Sequence, residues 1–234
     1  MKKIPVGIKG IDALLLGGIP EGKSILVSGN CGAGKTVFAS HFISEGLRNN
    51  ENAVYISLEQ EKGKLMIDLQ EMGIHWHPHE KKGKLKIIGG NFASLRRLKE
   101  KRKARSTDLI QEIVEVAQEL KAKRVAIDSV NLLLSLFDDA SEQRNCFAQL
   151  NYELQKLGCT VLYTCEVPEY TPMISWFGFE EFVVDGVFML RRQSDNKQTS
   201  QRSIEIVKMR GSGHKEGSFP LRISDKGMEV LLKF

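Results

Sequence analysis

Eight consecutive residues, Gly29-Asn30-Cys31-Gly32-Ala33-Gly34-Lys35-Thr36, fit the pattern G-x-x-x-x-G-K-[ST]. Glycines at these spacings let backbone N–H groups curl around phosphate oxygens, and the start of a following helix adds its positive partial charge. In that chemistry Lys35 reaches the β- and γ-phosphates of a nucleotide, the Thr36 hydroxyl ligates Mg²⁺, and the contact set runs from Gly29 through Val37. An accidental glycine-rich turn is the weaker reading. The apolar run Ile25–Ser28 precedes the loop, and helical spacing at Val37, Phe38, Phe42, Ile43 and Leu47 follows it. A second acid is required on the magnesium side. Asp128 closes the apolar run Arg124–Asp128 and is expected to meet a metal-bound water, or Thr36, from the tip of the adjacent strand.

The elements that must hold these residues alternate along the chain. Ala53–Leu58, Leu85–Ile88 and Thr160–Thr164 read as strands; Lys35–Arg48, Lys62–Met72, Thr107–Leu120 and Gln143–Leu157 read as helices. Continuous apolar strands between amphipathic helices predict a parallel sheet covered on both faces. After Asp185 the pattern changes to short strands at Val187–Arg191, Ser203–Met209, Leu221–Ile223 and Glu229–Leu232, which predicts an antiparallel extension.

Composition excludes several classes. The 234 residues are 41% hydrophobic and 27% charged, which suits a globular chain with a sizeable core and argues against disorder. No apolar run approaches the roughly 20 residues that span a bilayer, and the N-terminus lacks a secretory apolar stretch, so a cytoplasmic protein of one domain, residues 1–234, is expected, with no membrane partner. The net charge of +5 is local, because Arg96–Arg105 holds seven basic residues against one acid. Cys31, Cys146, Cys159 and Cys165 lack metal-ligand spacing and are expected to be small buried groups.

Taken together, the ordered motifs resemble the KaiC-like branch of the RecA-fold ATPases. The resemblance rests on Gly7–Gly22, the phosphate loop, Arg124–Val130, Phe177–Gly186 and Glu205–His214, and so covers nearly the whole chain. It implies an α/β fold with a RecA-like P-loop NTPase core, a mostly parallel central sheet and an antiparallel β extension at the C-terminus. It also implies one KaiC-type module that binds ATP and Mg²⁺, with Thr36 and Asp128 on the metal side. Glu59 matches the first member of the family's catalytic Glu-Glu pair, where it would activate the attacking water; Gln60 departs from the pair, and slow hydrolysis is expected. Lys208, Met209, Arg210, Ser212 and His214 match positions that reach a neighbouring subunit's nucleotide, with Lys208 and Arg210 as cations supplied in trans. Strand alternation would put those two on one face. The implied assembly is a head-to-tail ring, a homohexamer, read by a protein partner the sequence does not identify.

Other features carry less. Thr164 and Glu166 end the strand after Asp128, where RecA-fold proteins sense the γ-phosphate. Glu181-Phe182 stands where the phosphorylating module of the family carries a Ser-Thr pair, so autophosphorylation there is not expected. His75, His77 and His79 alternate around Pro78, but an exposed loop is expected rather than a metal site. The run 96–105 suits a solvated or partner-docking face better than nucleic acid, since it lacks interleaved aromatics. Two other functions stay open: a scaffold that holds ATP without turnover, and a DNA-binding recombination ATPase.

Overall fold

The computed structural model describes residues 1–90, 106–194, 200–225 and 227–232; the basic run 96–105 lies outside them. Among the described residues the chain forms, in order, β1 (Lys3–Ile4), α1 (Ile11–Leu14), β2 (Ile19–Pro20), β3 (Ser24–Gly29), α2 (Lys35–Arg48), β4 (Ala53–Ser57), α3 (Lys62–Glu71), α4 (His77–Lys81) and β5 (Leu85–Gly89). There follow α5 (Ser106–Glu119), β6 (Arg124–Asp128), α6 (Val130–Leu134), α7 (Ala140–Lys156), β7 (Thr160–Glu166), α8 (Glu180–Val183), β8 (Gly186–Ser194), β9 (Ser200–Met209), β10 (Ser218–Ser224) and β11 (Gly227–Val230).

Nine strands join in the order β11-β10-β9-β8-β3-β7-β6-β4-β5. Pairing is parallel from β8 through β5 and antiparallel from β8 to β11. This is the predicted α/β fold with its antiparallel C-terminal extension. The strands β3, β4, β6 and β7 are apolar on both faces because both faces are covered. Ile25, Val27, Tyr55 and Ala126 pack beneath α2 with Phe38 and Phe42, while Leu26, Val54, Val125 and Val161 turn to the opposite core with Ile113, Phe147 and Leu150.

Several boundaries differ from expectation for physical reasons. Helix α7 starts at Ala140 rather than Gln143, because the Asp139 carboxylate caps it by accepting the Ser141 and Glu142 amides. The histidine tract is a loop only through Trp76: His77–Lys81 is a short helix with Pro78 in its first turn, where a missing N–H costs nothing. No group of three or more His, Cys, Asp or Glu side chains among the described residues could hold a metal ion. Cys146, Cys159 and Cys165 are buried as expected, but Cys31 is exposed on the phosphate loop. No helix among the described residues is long and apolar enough to cross a membrane.

Candidate nucleotide-binding site

The loop between β3 and α2 is held from several sides. Gly34 caps α2 at φ 106°, a left-handed backbone that only glycine adopts without strain. Gly29 is required for a different reason: a Cβ there would stand 2.4 Å from the Leu190 carbonyl of β8. The Asn30 side chain turns away from the loop interior and staples it to β8, donating to the Arg192 carbonyl at 2.7 Å and accepting the Arg192 amide at 2.9 Å. Arg202 Nε reaches the Gly32 carbonyl at 3.0 Å. Arg192 and Arg202 are directly paired across β8 and β9, so two arginines border the loop. Sequence reading missed both, since each lies more than 160 residues beyond its partner, and only the basic composition of β8 hinted at them. Ala33 is buried, Val37 packs on the core beneath α2, and Lys35 Nζ donates to the carbonyls of Gly29 at 3.0 Å and Asn30 at 3.2 Å.

The C-terminal ends of β3, β7, β6 and β4 line up beside this loop, the crevice where open α/β sheets take ligands. Gly29 is level with Glu166, and Ser57 with Asp128. One expectation is corrected here. Asp128 is not on the strand adjacent to β3, because β7 lies between β3 and β6. The Asp128 carboxylate is 2% exposed and accepts two hydroxyls, Tyr55 to Oδ2 at 2.7 Å and Thr164 to Oδ1 at 2.5 Å. Thr164 thus serves the carboxylate, buried at 0% exposure, rather than facing the crevice.

Glu59 follows β4 and reaches solvent, yet it shares the crevice with Lys35, Asp128 and Glu166. Partial loss of water and the Asp128 carboxylate raise its pKa from the ordinary glutamate value, and Glu166 adds to that. The Ser129 hydroxyl and Lys35 oppose the rise. Ser129 Oγ lies near Glu59 without completing a well-formed hydrogen bond. Gln60 is turned elsewhere: its amide donates to Asp68 of α3 at 3.1 Å, and its backbone exchanges hydrogen bonds with the Ser57 hydroxyl. A second glutamate at this position would face the Asp68 carboxylate, which gives the departure from a Glu-Glu pair a local reason.

The C-terminal residues lie elsewhere. Lys208 Nζ donates to the Glu181 carbonyl, and Arg210 Nη2 to the Phe182 carbonyl at 3.0 Å, so both cations converge on α8. The bulge in the β8–β9 register falls before Lys208, which pairs with Val187, and Arg210 follows the end of β9. Desolvation and the Arg210 charge lower the Lys208 pKa, while Asp185 and Glu181 raise it. The Met209 side chain is buried against Gly186, leaving only its main chain to meet a ligand. Ser212 donates to the Gly213 carbonyl at 3.2 Å, and His214 Nδ1 stands 3.4 Å from the Lys215 carbonyl. Register fixes how far these groups are from the loop of their own chain: Lys208 pairs with Val187, and Val187 with Leu26, three residues before Gly29.

Comparison with known proteins fits this geometry. A family model described as the KaiC ATPase matches residues 4–233. The chain is 33% identical over 233 residues to the circadian clock protein KaiC3 of Synechocystis sp., covering 99% of this chain but 46% of that one. It is 34% identical to a UPF0273 protein of Thermotoga maritima, covering 98% of this chain and 96% of that protein. The chain therefore spans about half the length of the clock relatives it matches and nearly all of the shorter one. The crystal structure of a KaiC-like protein from Pyrococcus horikoshii superposes with a TM-score of 0.86 at 30% identity, over 99% of both chains. The chain belongs to the KaiC family of ATPases.

Proposed function

We propose that the chain binds ATP with Mg²⁺ at Gly29–Val37 and hydrolyses it slowly to ADP and phosphate, as a nucleotide-driven switch within a ring, most simply a hexamer. The observation that carries this reading is the convergence of Lys35, Glu59 and Asp128 on one crevice at the C-terminal edge of the sheet. Backbone amides of the loop and Lys35 hold the phosphates. Glu59, whose raised pKa makes it a better proton acceptor than an ordinary glutamate, takes a proton from the attacking water as the bond from the γ-phosphorus to its bridging oxygen breaks. The donor set suits a hard cation, because Asp128 is a buried carboxylate whose oxygens each accept one hydroxyl and Thr36 is the second residue of α2. Mg²⁺ bound by Thr36 and Asp128 would supply charge neutralisation on the phosphate oxygens.

Lys208 and Arg210 act on the nucleotide of the next copy, with Met209, Ser212 and His214 beside them. Support comes from the register, which keeps both cations away from their own loop. A scaffold without turnover is the second reading, favoured by Gln60, whose amide is committed to Asp68 and brings no second carboxylate to the crevice. Phosphate release by the wild type and Glu59→Gln separates the two. Hydrolysis predicts turnover that the substitution removes; turnover near zero in both supports the scaffold. Calorimetry showing no heat of association for Mg·ATP would overturn either reading.

A further inference from the structure

The order of the sheet sets Asp128 a difficult task. With β7 between β3 and β6, the carboxylate cannot lean on the strand that leads into the phosphate loop. Two neighbours hold it instead, one per oxygen. Thr164 of β7 stands level with Asp128, given the pairing of Leu162 with Ala126, and covers Oδ1. Tyr55 of β4 is paired with Ala126, two residues back on the same face, and its ring spans the diagonal to cover Oδ2. Both are fully buried.

Tyr55 also faces helix α2, where the Ser40 hydroxyl lies beside its oxygen. Ser40 in turn donates to the Thr36 carbonyl at 2.8 Å. The tyrosine ring packs at 5.0 Å on Trp76, whose Nε1 donates to Ser44 Oγ at 2.8 Å, and Ser44 donates to the Ser40 carbonyl at 2.7 Å. Buried contacts therefore run from the Asp128 carboxylate to the first turn of α2, bypassing β7.

We propose that Tyr55 and Thr164 are positioning residues, a two-hydroxyl clamp that fixes the plane of the Asp128 carboxylate and, through Tyr55, its placement relative to Thr36. This rests on the reading of Asp128 as the magnesium-side acid. A carboxylate stripped of one hydroxyl turns toward other partners, and outer-shell losses of this kind weaken metal affinity about 10- to 100-fold.

The test measures Mn²⁺ binding to ADP-loaded protein by electron paramagnetic resonance, for the wild type, Tyr55→Phe, Thr164→Val, Thr164→Ser and Asp128→Asn. Tyr55→Phe and Thr164→Val should each weaken Mn²⁺ by about 10-fold or more, Thr164→Ser should keep wild-type affinity, and ADP affinity in chelator should stay unchanged in these three variants. Wild-type Mn²⁺ affinity in both Tyr55→Phe and Thr164→Val, with affinity lost in Asp128→Asn, would overturn the clamp alone. Wild-type affinity in Asp128→Asn would instead remove the metal-side reading beneath it. Phenylalanine keeps the ring against Trp76; should that variant still fail to fold, the Thr164→Val and Thr164→Ser pair decides.

Discussion

The division of the site between two copies can be tested by mixing two inactive variants, Lys35→Ala and the double variant Lys208→Ala/Arg210→Ala. Strand register supplies the reason. Lys208 is level with Leu26, three residues short of Gly29 and two strands across the sheet. Three residues at about 3.3 Å and two strand gaps at about 4.8 Å separate the backbones by about 14 Å, more than twice the reach of a lysine side chain. The Lys208 ammonium is, moreover, drawn to α8. On the proposed reading these cations stay clear of the phosphates held by their own chain and act on those of a neighbour.

Cations supplied in trans to a γ-phosphate are worth about 10³- to 10⁵-fold in turnover, so each variant alone should be nearly inactive. In co-expressed, randomly mixed rings a site works only where an intact loop meets intact cations. In a 1:1 mixture that holds for about one interface in four, whatever the number of subunits. Phosphate release should therefore recover to about a quarter of wild type, with native mass spectrometry confirming mixed rings. Mixed rings that stay at the parental floor would refute the reasoning. So would full turnover in the double variant alone.

Other expectations follow from single contacts. Burial holds the Cys159 thiol up at about 11 and the Cys165 thiol at about 12 and also raises Cys146, so iodoacetamide should label the native protein at Cys31, more slowly with Mg·ATP present; labelling of a second thiol in peptide mass spectra would contradict this. Arg124 is fully buried, pairs with Glu51 at 2.6 Å and donates to the carbonyls of Pro5 and Phe42, so Arg124→Met should destabilise by about 3 kcal/mol in urea unfolding, and a loss below about 1 kcal/mol would show the network to be dispensable. His41 Nε2 accepts the Met228 amide of β11 at 3.0 Å, which requires a neutral ring. Burial, then Arg48, lower its pKa, outweighing Gly7 and Glu45. The unfolded chain therefore binds the extra proton below its ordinary pKa of about 6.5, and stability is lost as pH falls from there. His41→Gln should flatten the fall of melting temperature between pH 6.5 and 5, measured by calorimetry; an unchanged slope would exclude His41 as its source.

Much of this architecture was legible because the informative patterns are local. Helix α2 runs over Lys35–Arg48 and β6 over Arg124–Asp128, the spans the periodicity predicts, since each is a continuous apolar pattern bounded by a clear signal. The phosphate loop is likewise one unbroken stretch. The elements β1, β2, α1 and α8, of two to four residues, carry no legible signal because they are too short to show a period and lack a bounding apolar run. In the histidine tract, Pro78 reads as a loop signal by residue type, yet proline equally suits a first helical turn. Residue type alone places Cys31 in the interior, but a loop built to present amides to a ligand must be exposed.

Strand order was the piece that no local pattern could carry, and it changes the chemistry. Had β6 lain beside β3, Asp128 could have leaned on the loop strand directly. With β7 interposed, the acid sits on a neighbour-but-one and must be aimed by side chains reaching from both flanks. The same order brings Glu166 level with Gly29 and within electrostatic range of Glu59, so the crevice carries three carboxylates against Lys35. Such an excess of negative charge is unfavourable until a cation enters, and the repulsion adds to the partial loss of water that chiefly raises the proton affinity of Glu59. The acid that would accept a proton from water and the acid that would meet the metal are thus coupled by the topology of the sheet rather than by any motif.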